Sequence, residues 1–171
     1  SAITNTDYRR QFGEAFAPGT KLYDNIGQFF KVGTSTTHNL SFESGTETTS
    51  YRLSLSNLKQ DGVTPNTSYN RLNASLNATA KISPKFKSEG TLSFTKSENQ
   101  KASKGGSVGL TGSNGYLLTL LGWPQDDNVL DYLNTDGSRR KITSGALDTE
   151  TDNPFWDVKK NLSEDFNNRF V

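Results

Sequence analysis

Strict alternation of apolar and polar residues runs through the middle of the chain. Between Leu72 and Ile82 the even positions are Leu72, Ala74, Leu76, Ala78, Ala80 and Ile82; the odd positions from 71 are Arg71, Asn73, Ser75, Asn77, Thr79 and Lys81. Side chains on a β-strand point to opposite faces with period two, so one face here is apolar and the other polar. A helix would scatter these apolar positions around its axis. The pattern therefore predicts a strand over about Ser68 to Ile82.

Three further strands follow from the same reasoning. The first runs from about Phe29 to Glu43, with Leu40 and Phe42 facing one way and Ser41 and Glu43 the other. Ser44-Gly45-Thr46 makes a tight turn, with Gly45 free to take positive φ. The second runs from about Thr48 to Leu58. Tyr51, Leu53 and Leu55 lie opposite Arg52, Ser54 and Ser56, and Leu58 breaks the alternation, so a bulge or strand end is expected there. Asp61 to Asn66 is a loop built around Gly62 and Pro65. Ser83-Pro84 turns the chain again, since proline lacks an amide donor. The fourth strand runs from about Lys85 to Thr95, with Phe86, Leu92 and Phe94 on one face. Turns thus alternate short, long, short.

The flanks are less regular. Residues 1–28 read as loop: Tyr8 to Phe16 suits a short helical turn, and Ala17 to Gly27 is rich in turn formers. From Ser97 to about Asn167 no clear strand is legible, and a loop of that length is usually functional or disordered. It holds a flexible run, Gly105 to Gly115. A short helix follows at Tyr116 to Trp123, capped by Asn114 or Ser113 and stopped by Gly122 and Pro124. Then come DDNVLDYL, the basic turn DGSRRK and NPFW. Residues 168–171 read as the start of a next strand.

Composition narrows the classes. The chain has 171 residues, 31% of them hydrophobic, with a net charge of +1 and no cysteine. Any soluble core would be thin, no field points to nucleic acid, and no disulfide framework or thiolate chemistry is available. No apolar run is long enough for a membrane-spanning helix, but a barrel strand needs only about 9–11 alternating residues. The chain starts at Ser1 without an initiator methionine or signal peptide, and both ends read as cuts. The fold class is all-β, an antiparallel meander. Strand lengths and the alternation of turns fit an outer-membrane barrel. They equally fit a soluble antiparallel sheet with one face packed and one wet. Periodicity alone does not choose.

In order and spacing, FFKVGTSTTHNLSFESG, YRLSLS, QDGVTPN, YNRLN, NATAKISPKFK and NPFW resemble the SusC/RagA family. These are TonB-dependent transporters of the outer membrane of Bacteroidetes-type Gram-negative bacteria. The resemblance covers most of residues 28–96 and recurs at Asn153–Trp156 and Asn168–Phe170. Thr46 departs from it, since many members carry a second glycine there. Members have a plug, a barrel of about 22 strands and a SusD-like lipoprotein lid. The resemblance implies a partial transmembrane β-barrel: an outer loop at 1–28, four barrel strands over 29–96, a long extracellular loop at 97–167 carrying a short helix, and the start of a fifth strand. Turns at Gly45 and Pro84 would be periplasmic. Leu53, Leu55, Leu72, Ala74, Leu76, Ala78, Ala80 and Ile82 would face lipid; Arg52, Arg71, Asn73, Ser75 and Asn77 would face the lumen. No plug or TonB-box segment is recognisable. Four staves cannot close, so open edges would pair with another chain.

The resemblance further implies uptake of oligosaccharides or peptides. The partners would be the rest of the barrel and plug, a SusD-like lipoprotein, TonB through a plug-bearing part not seen in this sequence, and the bilayer. Tyr23, Phe29, Phe30, Trp123, Tyr132, Phe155 and Trp156 are the candidate substrate- or partner-facing residues, because flat rings stack on sugars or fill gaps at an interface. The competing reading has them packing the long loop. Asp126, Asp127, Asn128 and Asp131 form an oxygen-rich cluster that lacks EF-hand spacing. The glycine-rich run lacks the Lys-Ser/Thr ending of a phosphate loop. His38 is the only histidine and has no evident partner. Arg139, Arg140 and Lys141 suit an anionic ligand or a solvated turn. Asn-x-Ser/Thr matches at Asn39, Asn66, Asn73, Asn77 and Asn161 arise by chance in such a composition. No catalytic set or metal-ligand spacing emerges, so a non-enzyme without cofactor is expected. The alternative function is a soluble β-sandwich carbohydrate-binding module, with further strands inside 97–167 and a covered apolar face.

Overall fold

The computed structural model describes residues 15–102, 115–144 and 149–171. The expected helical turn at Tyr8–Phe16 and the run Gly105–Gly115 lie almost wholly outside them. The described chain divides into two compact units: one from the sheet segments Gly33–Gly62, Thr67–Gln100 and Glu164–Val171, the other from Ser1–Val32, Val63–Asn66 and Lys101–Ser163.

The sheet unit is an open, five-stranded, antiparallel meander. Its strands are β1 (Thr34–Gly45), β2 (Thr49–Asp61), β3 (Ser68–Ser83), β4 (Phe86–Ala102) and β7 (Leu162–Phe170), in the order β1-β2-β3-β4-β7. The register sets apolar residues in rows across the strands. Phe42, Leu53, Leu76 and Leu92 form one row and Leu40, Leu55, Ala74 and Phe94 the next. Phe170 of β7 extends the second row, its ring centroid 5.0 Å from that of Phe94. This face is uncovered: Leu40 is 54% exposed, Leu53 37% and Leu92 63%. A sandwich would bury these residues, and among the described residues no second layer does.

The opposite face is polar and internally bonded. Ser56 Oγ donates to Asn39 Oδ1 (2.6 Å), Thr91 Oγ1 to Asn77 Oδ1 (2.8 Å) and Thr95 Oγ1 to Asn73 Oδ1 (3.0 Å). Arg52 pairs with Glu43. In each case the two residues lie directly opposite across neighbouring strands. Such cross-strand pairs are the unit by which a sheet is stabilised from its side chains.

Several boundaries differ from the sequence reading. Phe29 does not open β1; it ends a helix, α1 (Asn25–Phe29), in a stretch read as loop and strand start. Asp24 caps that helix, its Oδ1 accepting from Gly27 N at 2.9 Å. Leu58 marks neither bulge nor strand end. β2 continues to Asp61 with Leu58 paired to Thr37 and Arg71 on the polar face, because unbroken backbone pairing outweighs one misplaced leucine. The irregularity falls instead between Lys81 and Ser83, so Ile82 leaves the paired rows. Gly45 keeps a negative φ. The turn sits two residues later, over residues 46–48, closed by Thr46 N donating to Thr49 O (2.6 Å) and by Thr46 Oγ1 accepting from Thr49 N (3.1 Å). Glycine is needed at 45 for room, since a Cβ there would lie 2.8 Å from the Thr49 carbonyl oxygen.

The stretch 97–167 is not strandless. β4 runs on to Ala102, β7 starts at Leu162, and β5 (Lys141–Ser144) pairs with β6 (Thr149–Asp152) as a small hairpin. The helix expected at Tyr116–Trp123 is α2 (Gly115–Leu121); its expected cap at Ser113 or Asn114 lies outside the described residues. NPFW opens α3 (Pro154–Lys160).

This loop-built unit has its own core. Phe29, Ala102, Tyr116, Leu120, Trp123, Val129, Phe155 and Val158 are buried, with Tyr132 and Leu162 packed against them. Phe29 sits at the centre: its ring lies 5.4 Å from Tyr116, stacked, and 4.9 Å from Phe155, tilted.

Candidate binding surface

Two buried asparagines hold the loop-built unit in shape. Asn25, at the start of α1, donates through Nδ2 to the carbonyls of Pro124 (2.9 Å) and Asp127 (3.0 Å) and accepts from Val129 N (3.0 Å). Asn153 donates to the Val129 carbonyl (2.8 Å) while its Oδ1 caps α3 by accepting from Phe155 N (2.8 Å). Both asparagines thus satisfy one turn, whose Val129 N–H and C=O are buried and would otherwise lack partners. The 63–66 segment docks on the same unit: Thr64 Oγ1 shares a hydrogen bond with the Tyr116 hydroxyl (3.0 Å), and Asn66 Nδ2 donates to the Val158 carbonyl (3.1 Å).

The seven candidate aromatic residues separate by burial. Phe29, Trp123 and Phe155 belong to the core, so their rings are spent on packing. Phe30 is exposed; Tyr23, Tyr132 and Trp156 are half-buried and offer ring surface to solvent. Lysines attend three of the four candidates that keep exposed ring. Lys159 Nζ lies 4.1 Å from the Tyr132 ring centroid and donates to its hydroxyl (2.6 Å). Lys21 lies 4.8 Å from the Tyr23 ring centroid and Lys160 5.8 Å from that of Trp156. A cation over a ring face is attracted by the ring quadrupole. These lysines went unread in the sequence; the signal available was Lys159 and Lys160 following NPFW at helical spacing.

The remaining candidates are engaged locally. Arg140 pairs with Asp127 (2.7 Å) and donates to the Asp131 carbonyl (3.0 Å); Arg139 pairs with Asp152 (2.5 Å). Asn128 Oδ1 accepts from Leu130 N (3.2 Å). The oxygen-rich cluster and the basic turn therefore neutralise each other in part, and the side chain of Lys141 lies outside the described residues. Among those residues no group of His, Asp and Glu has the arrangement of a metal site. His38 shares the apolar face with Leu40 and Phe42, opposite Asn57.

No protein-family model matches the chain, and no curated protein matches it. The functional reading therefore rests on its own surfaces.

Two carboxyl groups of the loop-built unit have displaced titrations. Burial pushes Asp157 above the ordinary carboxyl value, against the opposing hydrogen bond from Asn161; the nearby Asp152 charge adds to the rise and Arg139 counters it. Asp136 is held below the ordinary value by the Ser138 hydroxyl and then by the Ser138 N–H. No helix among the described residues is long and apolar enough to cross a membrane, which leaves strand-based crossing untouched.

Proposed function

We propose that this chain supplies barrel wall and outer loops to an outer-membrane importer of the SusC/RagA type, taking up oligosaccharides or peptides with a SusD-like lipoprotein. The observation that carries the reading is the sheet itself, with one face of uncovered apolar rows and the other a bonded polar ladder. A sheet of this pattern meets its requirements between hydrocarbon and a water-filled lumen. Toward the 61–66 loop the apolar face turns polar, first where Leu72 pairs with Asn57 and Lys96 and then where Lys59, Asn70 and Glu98 stand in register.

On this reading the loop-built unit is extracellular, and Tyr23, Phe30, Tyr132 and Trp156 are its contact rings for sugar or lid. Fractionation of cells making the native protein tests it. The protein is expected in the outer membrane, released only by detergent, and its deletion should abolish uptake of a labelled oligosaccharide or peptide. Recovery in the soluble fraction, or unchanged uptake of both substrate classes, would contradict the proposal.

A further inference from the structure

The cations of the loop-built unit fall into two sets. Arg139 and Arg140 each pair with a carboxylate, Asp152 and Asp127 respectively. Lys159 and Lys160, in the last turn of α3, pair with no carboxylate among the described residues; each attends a ring instead. The acidic residue of the same helix, Asp157, is 6% exposed and engaged with Asn161, whose Nδ2 donates to its Oδ1 (2.7 Å). The outward side of α3 thus carries two positive charges that its own carboxylate does not meet.

Helical spacing collects rings and charges together. Trp156, Lys159 and Lys160 stand at i, i+3 and i+4, so they share one face of α3. Tyr132 joins that face because its hydroxyl accepts from Lys159 Nζ (2.6 Å), with the ammonium 4.1 Å from its ring centroid. Lys160 Nζ is 5.8 Å from the Trp156 centroid. Both rings are half-buried and both lysines are exposed. Lysines near a helix C-terminus also complement the helix dipole, but that role places no ring beside either one.

Such a face recognises a narrow chemistry. A flat ring takes the C–H face of a sugar, and a lysine takes an anion. An exposed cation–π contact is weaker than a charge-assisted hydrogen bond, so an anion draws each ammonium from its ring, and the flexible lysine stem allows the swing. A neutral sugar uses the rings and leaves both charges idle. A uronic acid uses both, since its carboxylate is borne directly on the sugar ring.

We propose that the α3 face formed by Tyr132, Trp156, Lys159 and Lys160 binds acidic oligosaccharides, their sugar rings on the aromatic side chains and their carboxylates on the lysines. This rests on reading these rings as glycan contacts and narrows the substrate to the uronic-acid class.

Binding of a galacturonic acid tetramer to the full chain in neutral detergent micelles tests it. The chain has two tryptophans, and Trp123 is 6% exposed, so quenching by acrylamide reports chiefly Trp156. The acidic tetramer should shield Trp156 and bind about tenfold more tightly than a neutral galactose tetramer, about threefold for each exposed ion pair. That ratio should fall as salt rises. Lys159→Gln with Lys160→Gln should abolish the ratio and leave the neutral tetramer's affinity unchanged, whereas arginine at both positions should keep it. Lys160→Gln alone, which breaks no hydrogen bond, should cut the ratio about threefold; it carries the test should loss of the Lys159–Tyr132 bond disturb the fold. Trp156→Ala, read by calorimetry, should weaken both tetramers alike. A ratio near one in the unaltered chain, or a ratio that survives the double glutamine variant, would overturn the proposal. So would a tetraglutamate peptide that displaces the acidic tetramer at equal concentration, which would assign the face to acidic peptides. None of these readouts involves transport: acidic-tetramer binding by a protein recovered in the soluble fraction would contradict the importer and support this site, and uptake without the binding preference would contradict this site alone.

Discussion

In the sheet unit every described residue of Gly33–Gly62, Thr67–Gln100 and Glu164–Val171 keeps some exposure, whereas the loop-built unit closes over eight buried apolar residues. The contrast inverts the usual division, in which regular strands form the core and loops run over the surface. Here the strands own no interior. They are held by backbone ladders and cross-strand pairs, and nothing among the described residues covers their apolar rows. The loops have an interior of their own, built from aromatic rings and two clamping asparagines. One unit leaves its apolar rows uncovered among the described residues, and the other buries its own apolar side chains.

If the contrast is right, the largest effects come from the loop-built core. Phe29→Ala removes a ring that is 1% exposed and should cost about 3–5 kcal/mol. Limited proteolysis in urea should show new cleavage between residues 115 and 160, with exchange of β2 and β3 amides unchanged. Asn153→Ala should follow at about 2–3 kcal/mol, from a lost helix cap and an unpaired buried carbonyl at Val129; the same measurement reads it.

The pH dependence of that unit comes next. The unfolded Asp157 carboxyl titrates at its ordinary value and the folded one higher, because burial penalises the charge. Between those two values the folded state binds more protons. The contribution of Asp157 is therefore most favourable below the unfolded value and is lost as pH rises through the folded one. Asp136, lowered in the folded chain, acts in the opposite sense at lower pH. Asp157→Asn should flatten the decline above the ordinary carboxyl range in urea titrations at stepped pH. An unchanged slope would remove Asp157 from the account.

The sheet should yield the smallest effects. Asn73→Ala deletes one rung of the polar ladder, its bond with Thr95, and should cost only about 0.5–1 kcal/mol because water reaches both groups. A loss above about 2 kcal/mol would mean the ladder is sealed from water and the contrast is drawn wrongly.

The meander was legible because period-two alternation in β2, β3 and β4 needs no distant information. α3 was missed, although its Asn153-Pro154 start combines a cap with a proline at the first helical position. α1 was missed as well. Its five residues are too few to show a period, and Phe29 is buried by Tyr116 and Phe155, far away along the chain. β7 was read too short because LSEDFNNRF has only Phe166 and Phe170 beyond its first leucine; its extent is set by β4. Among the candidate rings, aromatic identity alone could not separate Phe155, which packs, from Trp156, which keeps exposed ring. That distinction depends on the rotation of a helix whose start the sequence marks but whose partners it does not.

The central claim concerns the medium against the apolar rows. Single cysteines along β3 from residue 71 to 80, labelled with an environment-sensitive fluorophore in the intact protein reconstituted into vesicles, test it most directly. Lipid-borne quenchers should dim labels at 72, 74, 76, 78 and 80 and spare those at 71, 73, 75, 77 and 79. Quenching without alternation, or none at the even positions, would contradict it.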